Sequence, residues 1–255
     1  MNAGDLTRRG LLAGLGIGAT GLLTGCDKLA NNQDFRKVLF SAENMHKWLQ
    51  RSLQGRNALA HEFRPDQRSP AFRGNGTINP NTEAYKALWR NGFADWRMKV
   101  DGLVARPLTL SLAQLQAMPT RIQTTRHDCV EGWSAIGTWR GVPLTAVLEA
   151  AGVSTRAKYI VFHGMDDMGG GNDYYESIDM VDAHHPQTIL AYALNEKPLP
   201  VLNGAPLRLR CERHLGYKQC KYIAHIEVVD DLRKIRGGKG GFWEDVAGYE
   251  WYAGI

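Results

Sequence analysis

The chain has 255 residues, 44% hydrophobic and 22% charged, close to the globular average of about 45–50% and 25%, which argues against both a disordered chain and a polytopic membrane protein. Its formal charge of +5 is spread over 31 Lys and Arg and 26 Asp and Glu with no long single-sign run. This argues against a nucleic-acid-binding stripe and favours an anionic substrate or cofactor as partner.

Arg8 and Arg9 precede an apolar stretch at 11–23 that is diluted by Gly14, Gly16, Gly18 and Gly21. At about 13 residues it falls short of the roughly 20 that a bilayer requires. A twin arginine before a short, weakly apolar core reads as a Tat export signal over residues 1–25, the alternative being an amphipathic helix with a chance Arg pair. Leu23, Thr24, Gly25 and Cys26 resemble a bacterial lipobox with Cys26 as the acylated residue, and Asp27 resembles a signal for inner-membrane retention. The expected location is the periplasm, with the membrane reached by a lipid anchor only. The Tat route resembles the path of proteins that fold around a cofactor before export, which favours a redox cofactor over a simple hydrolase.

Residues 26–60 read as a linker and an amphipathic helix. Phe35, Val38, Leu39, Ala42, Met45, Trp48, Leu49 and Leu53 share one face at 3-and-4 spacing, predicting a helix over 34–55 with Gly55 as its cap. Residues 61–82, rich in Pro, Asn, Gly and Arg, have no periodicity and read as a long functional loop. Strands are predicted at 96–104, 108–110, 122–126, 159–162, 174–178, 188–193, 207–210 and 222–229. Between them, Ser111 with Gln114 forms a capping box for a short helix, and Pro143 opens another that Gly152 stops. Strands outnumber helices, so an α+β domain at 61–235 with a mixed sheet and short helices is expected. The tail at 236–255 is too aromatic to be solvated and is expected to pack back on the domain, either near a cofactor or as plain surface packing.

Cys129 stands in the run Arg126, His127, Asp128, Cys129, Val130, Glu131, Gly132, Trp133, Ser134. A thiolate suits a soft metal, and a cation such as Arg126 favours that form; an inert buried cysteine is the plain alternative. His127 and Asp128, with His184 and His185, raise zinc, but no spaced Cys or His pair accompanies them. Cys211 and Cys220 are equally readable as a disulfide or as two free thiols. Taken alone, Asn203 and Gly204 suit a type I′ turn, while Arg208 and Lys221 suit surface charges.

The run 126–134, followed by Gly141, Val142, Pro143 and Leu144, resembles the cysteine loop of the sulfite oxidase family. Within that family the similarity is greatest to catalytic subunits of periplasmic methionine sulfoxide reductase systems. Asn203, Gly204, Ala205, Pro206, Leu207 and Arg208, and then Gly216, Tyr217 and Lys218, resemble its pterin-binding segments. The resemblance implies a sulfite oxidase-type molybdopterin-binding fold with Mo-molybdopterin as cofactor and Cys129 as the molybdenum ligand. It also implies pterin contacts from Asn203 and Arg208, and a holding loop at Gln219, Cys220 and Lys221. Asn75 stands at a suitable distance upstream for another pterin contact, and Arg126 and His127 are candidates for shaping the pocket's field. Gly164 departs from the threonine of that pattern, with His163, Asp166 and Asp167 beside it, so pocket polarity is expected to differ. The implied reaction is oxygen-atom transfer on a small sulfur or nitrogen oxo-compound. The alternative is a non-catalytic molybdopterin-binding or electron-transfer module. Since the sequence holds no C-x-x-C-H haem motif and no flavin fingerprint, electrons are expected to pass to or from a membrane-bound b-type cytochrome, with residues 61–82 and the tail forming the docking face or pocket rim.

Overall fold

A computed structural model describes residues 33–170 and 172–255. The twin arginine, the apolar stretch and Cys26 lie outside the described residues. Contacts divide the chain into residues 1–49 and 50–255. Helix α1 (Gln33–Gln54) follows the predicted span. It ends where Gly55 takes φ 74° and donates its N–H to the Arg51 carbonyl at 3.1 Å, a C-terminal geometry that glycine adopts without Cβ strain.

In residues 50–255, helix α2 (Glu83–Arg90) is capped by the Thr82 hydroxyl, which accepts from the Tyr85 N–H. No element is expected there from sequence, because two turns are too short for a 3.6-residue period to show. The first five-stranded sheet has the order β2 (Leu108–Ser111), β1 (Arg97–Gly102), β10 (His225–Val229), β5 (Tyr159–Asp167), β6 (Asp173–Asp179). It is mixed, since β1 and β10 run parallel and the other neighbours antiparallel. The second sheet is antiparallel, in the order β3 (Arg121–Asp128), β4 (Ser134–Pro143), β7 (Ile189–Leu194), β8 (Lys197–Pro198), with β9 (Arg208–Arg210) also paired to β7. Alternation along β1 buries Met98 and Val100 and exposes Arg97 and Lys99. They join Trp96, Leu148, Phe162, Leu209 and Ile226 in the main core, where each fully buried large apolar side chain contributes about 1.5–3 kcal/mol.

The short helices follow their sequence signals. Helix α3 (Leu112–Ala117) has the capping box of Ser111 and Gln114. Helix α4 (Leu144–Ala151) begins after Pro143 and ends at Gly152 with φ 68°. Strand β4 has no counterpart in the sequence reading. Its Gly137 and Gly141 resemble turn residues, yet a Cβ at Gly141 would lie 2.3 Å from the Leu190 carbonyl oxygen, so the glycine marks close strand approach at a bulge. Asn203 and Gly204 are likewise no hairpin turn. They end a 3-10 turn, Val201–Asn203, with Gly204 at φ 107°, and a Cβ there would meet that of Lys221 at 2.8 Å. Helices α5 (Met180–Ala183) and α6 (Phe242–Ala247) complete the set. No helix among the described residues is long and apolar enough to cross a membrane.

Candidate active site

Strand β3 delivers Cys129 into a tight loop. The Cys129 N–H donates to the Trp133 carbonyl at 2.9 Å and its carbonyl accepts from the Gly132 N–H at 3.0 Å; Gly132 turns at φ 84°. The thiol faces a cavity of about 250 Å³ shared with Asn75, Asp166, Gln219 and Lys221. Aromatic side chains of Tyr174, Tyr217, Trp243 and Tyr249 form much of the remaining wall. Asn75 Nδ2 lies 3.7 Å from Cys129 Sγ, within donor range for sulfur.

The loop carrying Asn75 is irregular but pinned. Lys221 Nζ donates to the Asn75 carbonyl at 2.6 Å and to that of Thr77. The Tyr222 hydroxyl reaches the Thr77 carbonyl at 2.8 Å, and Asn203 Nδ2 reaches the Arg73 carbonyl at 3.2 Å. A loop without secondary structure thus satisfies its backbone through the segment 203–222.

Charge in the site is lopsided. Arg208 is 2% exposed, donating to the Asn203 carbonyl at 3.0 Å with its guanidinium 5.1 Å from the Trp139 ring centroid. Arg210, 4.3 Å from the same ring, is paired with buried Glu212. By contrast, no carboxylate among the described residues forms an ion pair with Arg208 or Lys221. Burial, then the neighbouring Arg210, push the Arg208 guanidinium down. Burial, then Arg208, bring the Lys221 ammonium down to about 7. Burying basic groups without an ion-pair partner is costly, which suits an anionic ligand at Arg208 and Lys221, although the carboxyls of Glu131 and Asp166 also line the cavity.

His127 adds a second demand. It is 0% exposed, and its Nδ1 accepts from Arg210 Nη1 at 2.9 Å. Burial and the charges of Arg210 and Arg208 hold its pKa well below the ordinary value. With Arg210 donating to Nδ1, a neutral imidazole carries its proton on Nε2, which has no partner, while Gln219 Oε1 lies 3.4 Å from the same Nδ1. The ring abuts cavity-lining Gly216, where a Cβ would come within 2.6 Å of Nε2. Arg208 Nε and Asp166 Oδ1 are also buried without partners. Unanswered donors, surplus positive charge and a thiol suit a cofactor that has an anionic phosphate, a heterocycle edge and a soft metal.

Of the residues singled out in the sequence, Cys129, Asn75, Gln219 and Lys221 come together on the cavity. Asn203 and Arg208 are buried beside it. Arg126 is not brought in: its side chain is 57% exposed and paired with Asp128 at 2.9 Å, because alternation along β3 turns His127 inward and Arg126 outward. Cys220 lies in the core, off the cavity wall, with Sγ 3.9 Å from the Phe162 carbonyl oxygen and its own carbonyl accepting from the Leu209 N–H at 2.8 Å. Cys211 and Cys220 are free thiols, which settles the disulfide reading against a bridge. Burial pushes the Cys129 thiol up, with Asn75 and Arg208 acting against it. The sequence gives no site role to Arg210, Thr77 or Tyr174 and gives Asp166 none beyond pocket polarity, whereas Trp243 and Tyr249 come from the tail expected near the cofactor or at the pocket rim, and Tyr217 from a segment that resembles a pterin-binding one. Arg210 is within the sequence's reach, since residues 208 and 210 share one face of a strand.

Residues 86–235 match the family described as oxidoreductase molybdopterin binding domain. A protein of Azospira oryzae provisionally named a protein-methionine-sulfoxide reductase subunit is 36% identical over 238 residues, covering 93% of this chain and 84% of that protein. Proteins of Xanthomonas campestris and Xanthomonas axonopodis named protein-methionine-sulfoxide reductase catalytic subunits are each 37% identical over 161 residues, 59% of this chain. The chain spans half the length of these two. Among solved structures, the sulfane dehydrogenase of Paracoccus pantotrophus matches with a TM-score of 0.49 and 24% identity over 54% of this chain and 39% of that one.

Proposed function

Because the chain belongs to the oxidoreductase molybdopterin-binding family, and is a molybdopterin-dependent oxidoreductase of α+β fold, we propose that it removes an oxygen atom from a small sulfur or nitrogen oxo-compound, with Cys129 as the protein's ligand to molybdenum. The observation that carries this reading is the Cys129 thiol on a cavity beside two buried basic side chains, Arg208 and Lys221, with which no carboxylate among the described residues forms an ion pair. The names of the relatives support a sulfoxide as the substrate.

In this reading Arg208 and Lys221 hold the anionic end of the cofactor, while Asn75, Gln219 and the His127 Nε2–H meet its polar edges. When bound, the cofactor would supply the metal-centred two-electron oxygen-atom-transfer chemistry. Trp243, Tyr249, Tyr217 and Tyr174 give the cavity an aromatic wall beside its polar groups, which suits a compact neutral S-oxide. Electrons reach the site from a membrane-bound b-type cytochrome, and the enzyme works in the periplasm, tethered through Cys26.

Cys129→Ser in the full chain tests the central claim. The variant is expected to keep its circular dichroism, to lose sulfoxide turnover and to alter the Mo(V) electron paramagnetic signal. Turnover equal to that of the wild type refutes the ligand assignment.

A further inference from the structure

The β5–β6 ladder contains a displaced segment. His163 pairs with Tyr175 and Asp167 with Asp173, so four steps along β5 oppose two along β6. The two surplus residues make a bulge at 164–166, a feature that re-aims side chains beside active sites. Here it brings Asp166 into the cavity wall, where the residue is 4% exposed. Space for it depends on Gly164, because a Cβ there would lie 2.5 Å from Asp166 Oδ1. That oxygen has no hydrogen-bond partner, and the nearby Thr77 hydroxyl, 3.5 Å from Met168 Sδ, acts to lower the pKa of the carboxyl against the effect of burial.

The groups facing Asp166 are mostly neutral: the Tyr85, Tyr174 and Tyr222 phenols and the Cys220 thiol, each of whose pKa it helps to raise. Lys221 is the cation near it. A carboxyl in such surroundings is costly as an anion, and burial accordingly pushes the Asp166 pKa up. A structural carboxylate in a buried wall would have its oxygens hydrogen-bonded, and Asp166 Oδ1 is left without a partner.

We propose that Asp166 is the catalytic acid of this cavity, donating the proton that turns the substrate's oxygen into water. The proposal rests on the reductive reading above. In the balanced reaction one sulfoxide, two electrons and two protons give one sulfide and one water, so that the S–O bond breaks and two O–H bonds form. The sulfur gains the electron pair, supplied by a reduced haem protein or, in an assay, by a reduced viologen. The first proton comes from the Asp166 carboxyl, leaving a carboxylate beside Lys221. The second comes from solvent, which also restores Asp166.

Asp166→Asn in the full, cofactor-loaded protein keeps the shape and removes the acid. The expected result is unchanged molybdenum and pterin content, a KM for methionine sulfoxide within a few-fold, and kcat lower by about 10²–10⁴-fold. An infrared difference spectrum, wild type minus variant at neutral pH, should show a protonated carboxyl C=O band that shifts in heavy water. If Asn strips the cofactor, Asp166→Glu takes its place, and it must retain turnover with a displaced pH profile. Wild-type kcat in the Asn variant, an undisplaced profile in the Glu variant, or an infrared difference showing only an ionised carboxylate each overturns the assignment. If the wild type fails to turn over any S-oxide, the reductive reading falls, and the infrared band alone still decides whether Asp166 holds a proton.

Discussion

Arg208 carries a charge into a place where no carboxylate among the described residues pairs with it, and that has a thermodynamic signature. In the cofactor-free protein this guanidinium is buried near Arg210 and Lys221, so its removal relieves desolvation and repulsion together. Arg208→Met is expected to stabilise cofactor-free protein by about 1–4 kcal/mol in urea unfolding, by analogy with buried ions replaced by apolar groups of similar size. The same variant should lose most of its molybdenum per chain by elemental analysis, which separates a cofactor role from a structural one; destabilisation with full metal content would count against it. Residues such as Cys129 and Lys221 are legible in the sequence because several separated motifs agree on them. Arg126 is a misdirection of another kind: the one-dimensional run puts it next to the cysteine loop, while strand parity puts His127 inside and leaves the inward charge to Arg210, eighty-four positions later in sequence.

Whole elements are held by charge as well as by apolar packing. Asp179 caps α5 through the Val181 and Asp182 amides at 3.1 and 3.2 Å, and it pairs with Arg51 at 2.8 Å. Asp182 on that short helix receives Arg51 at 2.7 Å, Arg213 at 2.6 Å and His214 at 2.9 Å. Burial alone would raise the Asp182 pKa, but His214, Arg51 and Arg213 outweigh it and hold the carboxyl below its usual 3.8. A carboxylate whose folded pKa is depressed gives stability that is present above about pH 3.8 and is lost as pH falls through the folded value. Asp182→Asn is therefore expected to cost about 3 kcal/mol at neutral pH. Its stability should fall less steeply than that of the wild type below pH 4, as followed by urea midpoints across pH. Helices with a cap signal in sequence, α3 and α4, are legible to within a residue or so. Strand β4 is not, because its glycines answer to a neighbouring backbone rather than to local turn chemistry.

For the molecule as a whole, the proposed anchor makes a separable claim. Cys26→Ala is expected to move the protein from the membrane fraction to the soluble periplasm on osmotic shock. Without residues 1–25, which hold Arg8, Arg9 and Asp5, the formal charge is 5 − 2 + 1 = +4, too diffuse to retain it on anionic lipid. A wild type already soluble would remove the anchor from the account. The same global view gives the aromatic tail its place. Its composition signals packing, and the structure brings Trp243 and Tyr249 to the cavity, their rings stacked with centroids 5.8 Å apart. The cavity is thus closed by residues that follow Cys129 by more than a hundred positions. A nascent chain still on the ribosome short of residue 249 has the thiol but lacks that wall, so the cavity is complete only after synthesis has passed this point.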